Sequence, residues 1–236
     1  MFSAEALAVL ALGFYLGAKH ALDADHLIAI STFIDQSRTF ASSLLLGGLW
    51  GLGHTAALLF LGGMVIIFDL KLPEKIALGL EFLVALMLIV LGINALRGLR
   101  KGSEIHWHPH KHGNHVHAHP HIHSIASESH HQLELSWKPL FVGMVHGLAG
   151  SAALMLIVLS TIQSRALALG YVVVFGIGSI GGMALISSLV SLPLRITINR
   201  FEGTQRFIRT AAGIVSVGFG IFLAVQIGRD LGRIWL

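Results

Sequence analysis

Cysteine is absent from this 236-residue chain. That excludes disulfides, thiolate metal sites and iron–sulfur clusters, and leaves the redox compartment unread. Charge is scarce: Asp, Glu, Lys and Arg make up 12% of the residues, roughly half the share usual in a soluble domain. No Gly-x-x-x-x-Gly-Lys-Ser/Thr phosphate loop occurs, so nothing here marks a nucleotide-driven pump. The first residues, Met1-Phe2-Ser3-Ala4-Glu5, lack the positive start of a cleaved signal peptide, and the first helix is expected to be retained.

What the chain has in abundance is apolar sequence: 54% of its residues are hydrophobic and the mean hydropathy is +0.77. Runs of about 20 apolar residues each suffice to cross a bilayer. They predict an all-α membrane protein with six transmembrane helices, over 4–34, 41–68, 74–97, 139–163, 166–192 and 209–228. The first run exceeds a bilayer core at about 1.5 Å per residue, so it must tilt, break or protrude. A formal charge of +4 from Lys and Arg near span ends fits membrane topology and not nucleic-acid binding. More of those residues fall on the side of Arg38, Arg97, Lys138 and Arg195 than on the side of Lys75, Arg165 and Arg229. The larger group marks the cytoplasm, placing both termini outside a cell (inner) membrane and the 98–138 loop inside.

Three short motifs recur in order. His20-Ala-Leu-Asp-Ala-Asp-His-Leu aligns with His146-Gly-Leu-Ala-Gly-Ser-Ala-Ala, Trp50-Gly-Leu-Gly-His54 with Phe175-Gly-Ile-Gly-Ser179, and Leu91-Gly-Ile-Asn with Phe219-Gly-Ile-Phe. Separations match, at 34 and 33 residues to the second motif and 71 and 73 to the third. Three spans per half force opposite orientations. The expected organisation is two inverted three-helix repeats, 1–97 and 139–236, joined by residues 98–138, with a site where the repeats meet.

The polar exception lies inside the first apolar run: Lys19-His20-Ala21-Leu22-Asp23-Ala24-Asp25-His26. An ionised side chain at the bilayer centre costs at least ~2.5–3.5 kcal/mol, so such clusters face a polar interior and mark ion paths. Imidazoles with carboxylates suit a divalent transition metal. On a regular helix His20, Asp23 and His26 share a face, Lys19 can pair with Asp23, and Asp25 points away. On a helix unwound here, all four acceptors can converge. His54, in Gly53-His54-Thr55, reads as a further ligand. His146, Ser151 and Ser179 read with Lys19 as supporting or pathway residues, Ser179 standing where the first repeat has His54.

Eleven of the fifteen histidines crowd one loop: His106, His108, His110, His112, His115, His117, His119, His121, His123, His130 and His131. Such tracts chelate transition metals. Interspersed Pro and Gly predict a flexible, weak, multi-site chelator with no packed fold.

The residues His20-x-x-x-x-Asp25-His26, within Gly17 to Leu27, resemble the signature of the NiCoT nickel/cobalt permeases, and Gly53-His54-Thr55 resembles that family's second motif. Six spans, and Gly147-Leu148-Ala149-Gly150-Ser151 in place of the family's later Asp-containing motif, suggest a shorter branch. The resemblance implies His20, Asp25 and His26 as metal residues and His54 as a supporting one.

Together these readings predict a secondary transporter, not an enzyme, that moves Ni²⁺ or Co²⁺, most simply inward. Entry of a divalent ion gains about 4.6 kcal/mol per 100 mV, twice the value for a single charge. The ion is cargo, and no permanent cofactor is expected. The partners expected are the ion, the bilayer, a second copy of the chain and a cytoplasmic metallochaperone. Efflux is the alternative direction. A membrane di-iron enzyme is an alternative of another class, disfavoured because only four histidines lie outside the loop, all within spans; a haem-binding membrane subunit with bis-His ligation is a third reading.

Overall fold

A computed structural model describes residues 3–33, 39–70, 73–101, 105–112, 115–122, 137–148, 161–162, 164–198 and 202–235. Among them are seven helices and two strands: α1 (Ala4–His20), α2 (Ala24–Phe33), α3 (Phe40–Phe68), α4 (Glu74–Lys101), β1 (Ile105–His112), β2 (His115–Ile122), α5 (Lys138–Gly147), α6 (Arg165–Ile198) and α7 (Glu202–Trp235). Four helices are long and apolar enough to cross a membrane: α3, α4, α6 and α7. The pair α1 and α2 makes a fifth crossing if its two pieces are one span, bent by 49°. The predicted span over 139–163 begins as α5, and most of its remainder lies outside the described residues. Phe14, Tyr15, Phe60, Phe68, Phe141 and Phe222 are all more than half exposed, an apolar exterior that suits lipid. This is a multi-pass membrane protein.

Local signals set the element ends. Ser3 caps α1, its hydroxyl accepting from the Ala6 amide at 3.2 Å. Thr39 and Ser42 form a capping box at the start of α3. Asp69 ends α3 in the left-handed region, φ 52°, a conformation Asp tolerates better than most residues. The first predicted span breaks in its middle. Leu22 and Asp23 close a turn by donating to the carbonyls of Lys19 and His20, at 2.9 and 3.0 Å. The chain re-enters helix at Ala24, with the Asp23 carbonyl accepting from Leu27 at 3.1 Å. A helix C-terminus and a helix N-terminus thus meet in the middle of the first predicted span.

Helix α3 packs along α6, α4 along α7, α1 along α6, and α5 along α3. Trp50, Leu88 and Met183 sit in one buried core, and Leu58, Tyr171, Val172 and Phe175 in another. Glycines set the close crossings. A Cβ on Gly17 would overlap the Phe175 carbonyl, and one on Gly143 the Trp50 carbonyl. A Cβ on Gly53 would overlap the Leu140 carbonyl, and one on Gly178 the Phe14 carbonyl.

The histidine tract differs from the unstructured chelator predicted above. β1 and β2 pair antiparallel with His106 opposite His121, His108 opposite His119, His110 opposite His117 and His112 opposite His115. Alternation is the period of a strand, and all eight histidines stand at histidine-to-histidine positions of this register. Pro109 and Pro120 are tolerated because both strands of a two-stranded ribbon are edges. His123, His130 and His131 lie outside the described residues.

Candidate metal centre

The break between α1 and α2 carries the polar cluster. His20 ends α1, and Asp25 and His26 lie in the first turn of α2. The turn brings both imidazoles to one side, with ring centroids 4.4 Å apart. Helix α3 supplies His54, 5.2 Å from each of those rings. Thr55 anchors that part of α3 to α6, its hydroxyl donating to the Gly176 carbonyl at 3.1 Å. Helix α5 supplies His146, whose ring lies 4.1 Å from that of His26. All four histidines are buried, His26, His54 and His146 completely.

The carboxylates fix how these rings present themselves. An ionised carboxylate only accepts, so a ring nitrogen bonded to it must carry the proton. His20 Nδ1–H donates to Asp23 at 2.7 Å, and His26 Nδ1–H donates to Asp25 at 3.2 Å. Each ring is left with a bare Nε2 lone pair. Among the described residues, neither His20 Nε2 nor His26 Nε2 has a hydrogen-bond partner. One ligand nitrogen each from His20, His26 and His54 lie within 4.8 Å of one another. An ion bound at ~2.1 Å needs donors ~3–4 Å apart, a separation small ring rotations supply. A carboxylate behind a ligating imidazole raises its basicity and holds its orientation. His146 Nε2–H donates to the second oxygen of Asp25 at 2.8 Å, so Asp25 joins α2 to α5.

Several sequence expectations meet a definite geometry here. The cluster converges because the helix is broken, and Asp25 then faces His146. Asp23 and Asp25 both lie against imidazoles. Lys19 is exposed and makes no ion pair with Asp23 among the described residues. The i,i+4 relation lapses where α1 ends, and Asp23 turns to His20. Ser179 is fully buried, its hydroxyl unpartnered among the described residues. Ser151 lies outside them. Two aromatic walls escaped the sequence reading: Trp50, 5.3 Å from the His26 ring and 5.7 Å from that of His146, and Phe175, 5.8 Å from His20. Their signal was present, since both open the second motif of their repeat.

Over the full length of both chains the sequence is 35% identical to the urease accessory protein UreH of Bacillus sp. (strain TB-90). Over 91% of its length it is 24% identical to the chloroplast protein FOR GROWTH AND FERTILITY 2 of Arabidopsis thaliana, and 22% identical to FOR GROWTH AND FERTILITY 1. It spans 55% and 58% of those two plant proteins. No family model and no solved structure matches the chain. The bacterial name describes an accessory protein and not an enzyme, and at that identity over both full lengths the chain belongs to the UreH family of urease accessory proteins.

Proposed function

We propose that the chain is a secondary transporter of the NiCoT type, carrying Ni²⁺ across the membrane. The carrying observation is the buried trio His20, His26 and His54 at a break in the first apolar segment, with bare Nε2 atoms on two of the rings. Neutral imidazoles in a site without thiolates suit Ni²⁺, Co²⁺ and Zn²⁺ as a group. Likeness to a urease accessory protein favours nickel, the metal of urease, over cobalt. Broken helices tolerate irregular backbone at membrane depth where it lines a polar site. The membrane potential suffices to draw a divalent cation inward, so uptake is the direction we infer.

The reading includes two inverted halves, 1–97 and 139–236. Its support is the pairing of contacts under the motif alignment. Gly17 against Phe175 has its counterpart in Gly143 against Trp50, and Gly53 against Leu140 in Gly178 against Phe14. Gly92 against the Gly213 carbonyl matches Gly220 against the Ala85 carbonyl. His20 beside Phe175 matches His146 beside Trp50. The histidine ribbon serves as an accessory chelator on the cytoplasmic face, from which a metallochaperone collects the ion, and both termini lie outside.

Metal flux into proteoliposomes tests the proposal. The wild-type chain should admit Ni²⁺ under an inside-negative potential, and His26→Ala and Asp25→Asn should each lose most of that flux. Equal flux in all three chains would remove the cluster from the mechanism. Flux only in the outward direction would reverse the inferred direction. Haem absorbance or stoichiometric iron in the purified chain would favour a redox subunit instead.

A further inference from the structure

The cluster contains a second set of converging ligands. One ligand atom each from Asp25, His26 and His146 also lie within 4.8 Å of one another. His26 is common to both sets. Its ring neighbours all three others, with the centroids of His20, His54 and His146 4.4, 5.2 and 4.1 Å away. Its Nδ1 points to Asp25, while its Nε2 has no partner among the described residues.

We propose that Asp25, His26 and His146 form a second metal position, and that one ion occupies the two positions in turn, handed across by His26. The proposal rests on the transport reading. The two positions differ in charge. Three neutral imidazoles leave both charges of the ion uncompensated in a buried place, whereas Asp25 neutralises one. The second position also draws its third ligand from α5, so the ion passes from residues of α1–α3 to a site shared with the other half of the chain. His26 admits only one ion at a time. A neutral imidazole has one lone pair, on Nε2 when Nδ1 carries the proton and on Nδ1 when Nε2 does. Moving the ion to the second position therefore exchanges the tautomer of His26. It exchanges that of His146 as well, from Nε2–H to Nδ1–H, and its buried Nδ1 is unpartnered among the described residues and free to take the proton. Two protons change nitrogens and none is gained or lost overall. Single occupancy makes the ion its own gate, since the next ion can enter only after the first has left His26.

Equilibrium Ni²⁺ binding to the full detergent-purified chain, with flux measured in parallel, tests this. The wild-type chain should bind one ion. His54→Ala should still bind one ion, weakened by about 10–100-fold, and X-ray absorption should then show two imidazoles with added oxygen scattering. Adding His146→Ala to His54→Ala should abolish that residual binding. His146→Gln alone, in a chain whose melting temperature is kept, should bind within a few-fold of wild type yet carry Ni²⁺ at least about tenfold more slowly. Residual binding in His54→Ala that ignores His146, or wild-type flux in His146→Gln, would overturn the second position while leaving transport standing. Residual binding that depends on His146 in a chain without Ni²⁺ flux would keep the second position and sink the transport reading.

Discussion

At the residue scale the chemistry turns on which nitrogen of each histidine is held. Asp25 accepts from two rings at once. In Asp25→Asn, the amide can accept from only one of them, and its NH₂ faces the other N–H. An unsatisfied buried donor costs about 1–3 kcal/mol, so Asp25→Asn should lower the melting temperature as well as flux. Asp23, whose side chain is 46% exposed, has water as a substitute partner. Asp23→Asn should therefore lose less flux than Asp25→Asn, and equal losses would show that Asp23 does more than hold a ring. Protons compete with metal for the same lone pairs. Ni²⁺ flux at fixed potential should fall as the medium is acidified, because a protonated imidazole has no lone pair left for the ion. The four buried histidines were legible in the sequence because ionisable groups in apolar runs are costly. Trp50 and Phe175 were not singled out, because an aromatic in an apolar helix resembles any other packing residue. The pairing of Asp25 with His146 was hidden too, since the two lie 121 positions apart.

At the element scale, helix existence followed from hydropathy, while the break and the ribbon needed the structure. Periodicity allowed both a regular and a broken first helix. Only the regular one required Lys19 to meet Asp23, and the turn at Leu22 and Asp23 removes that requirement. The ribbon was misjudged because Pro and Gly weigh against strands in general, although the alternation of the histidines was visible. Its register gives a test that composition alone does not. Permuting residues 115–122 so that the four histidines fall one position over keeps every residue but moves them to the opposite face. Metal capacity, titrated against a chromophoric chelator, should then fall; an unchanged titration would make the tract a chelator by number alone. The glycine crossings give a second test. Gly53→Ala places a Cβ on the Leu140 carbonyl and should cut the yield of folded protein sharply. Gly48 meets nothing within 4 Å, and Gly48→Ala should be neutral or gain up to about 1 kcal/mol of helix stability. Comparable loss in both would mean that the crossings do not depend on close approach.

At the scale of the whole molecule, residues that lie far apart in sequence build the site together. The apolar runs were legible as sequence, but not which helix packs on which: α1 lies on α6, and α5 on α3. Deleting residues 106–131 should leave Ni²⁺ flux in proteoliposomes within about twofold, since the converging ligands come from α1, α2, α3 and α5 and not from the ribbon; lost flux would move the functional site into the tract. The absence of cysteine makes orientation measurable with single introduced thiols. A thiol at position 107 should be shielded from an impermeant reagent in intact cells, and one at position 3 should react. The packing of α1 on α6 also has a consequence for biogenesis. When the ribosome has finished the signature helix, the surface that Gly17 must meet, at Phe175, is still unmade. Helix α1 cannot complete its packing before α6 has been made, so the histidine that ends it waits for the final third of the chain. A prematurely terminated chain therefore exposes an unfilled glycine seam.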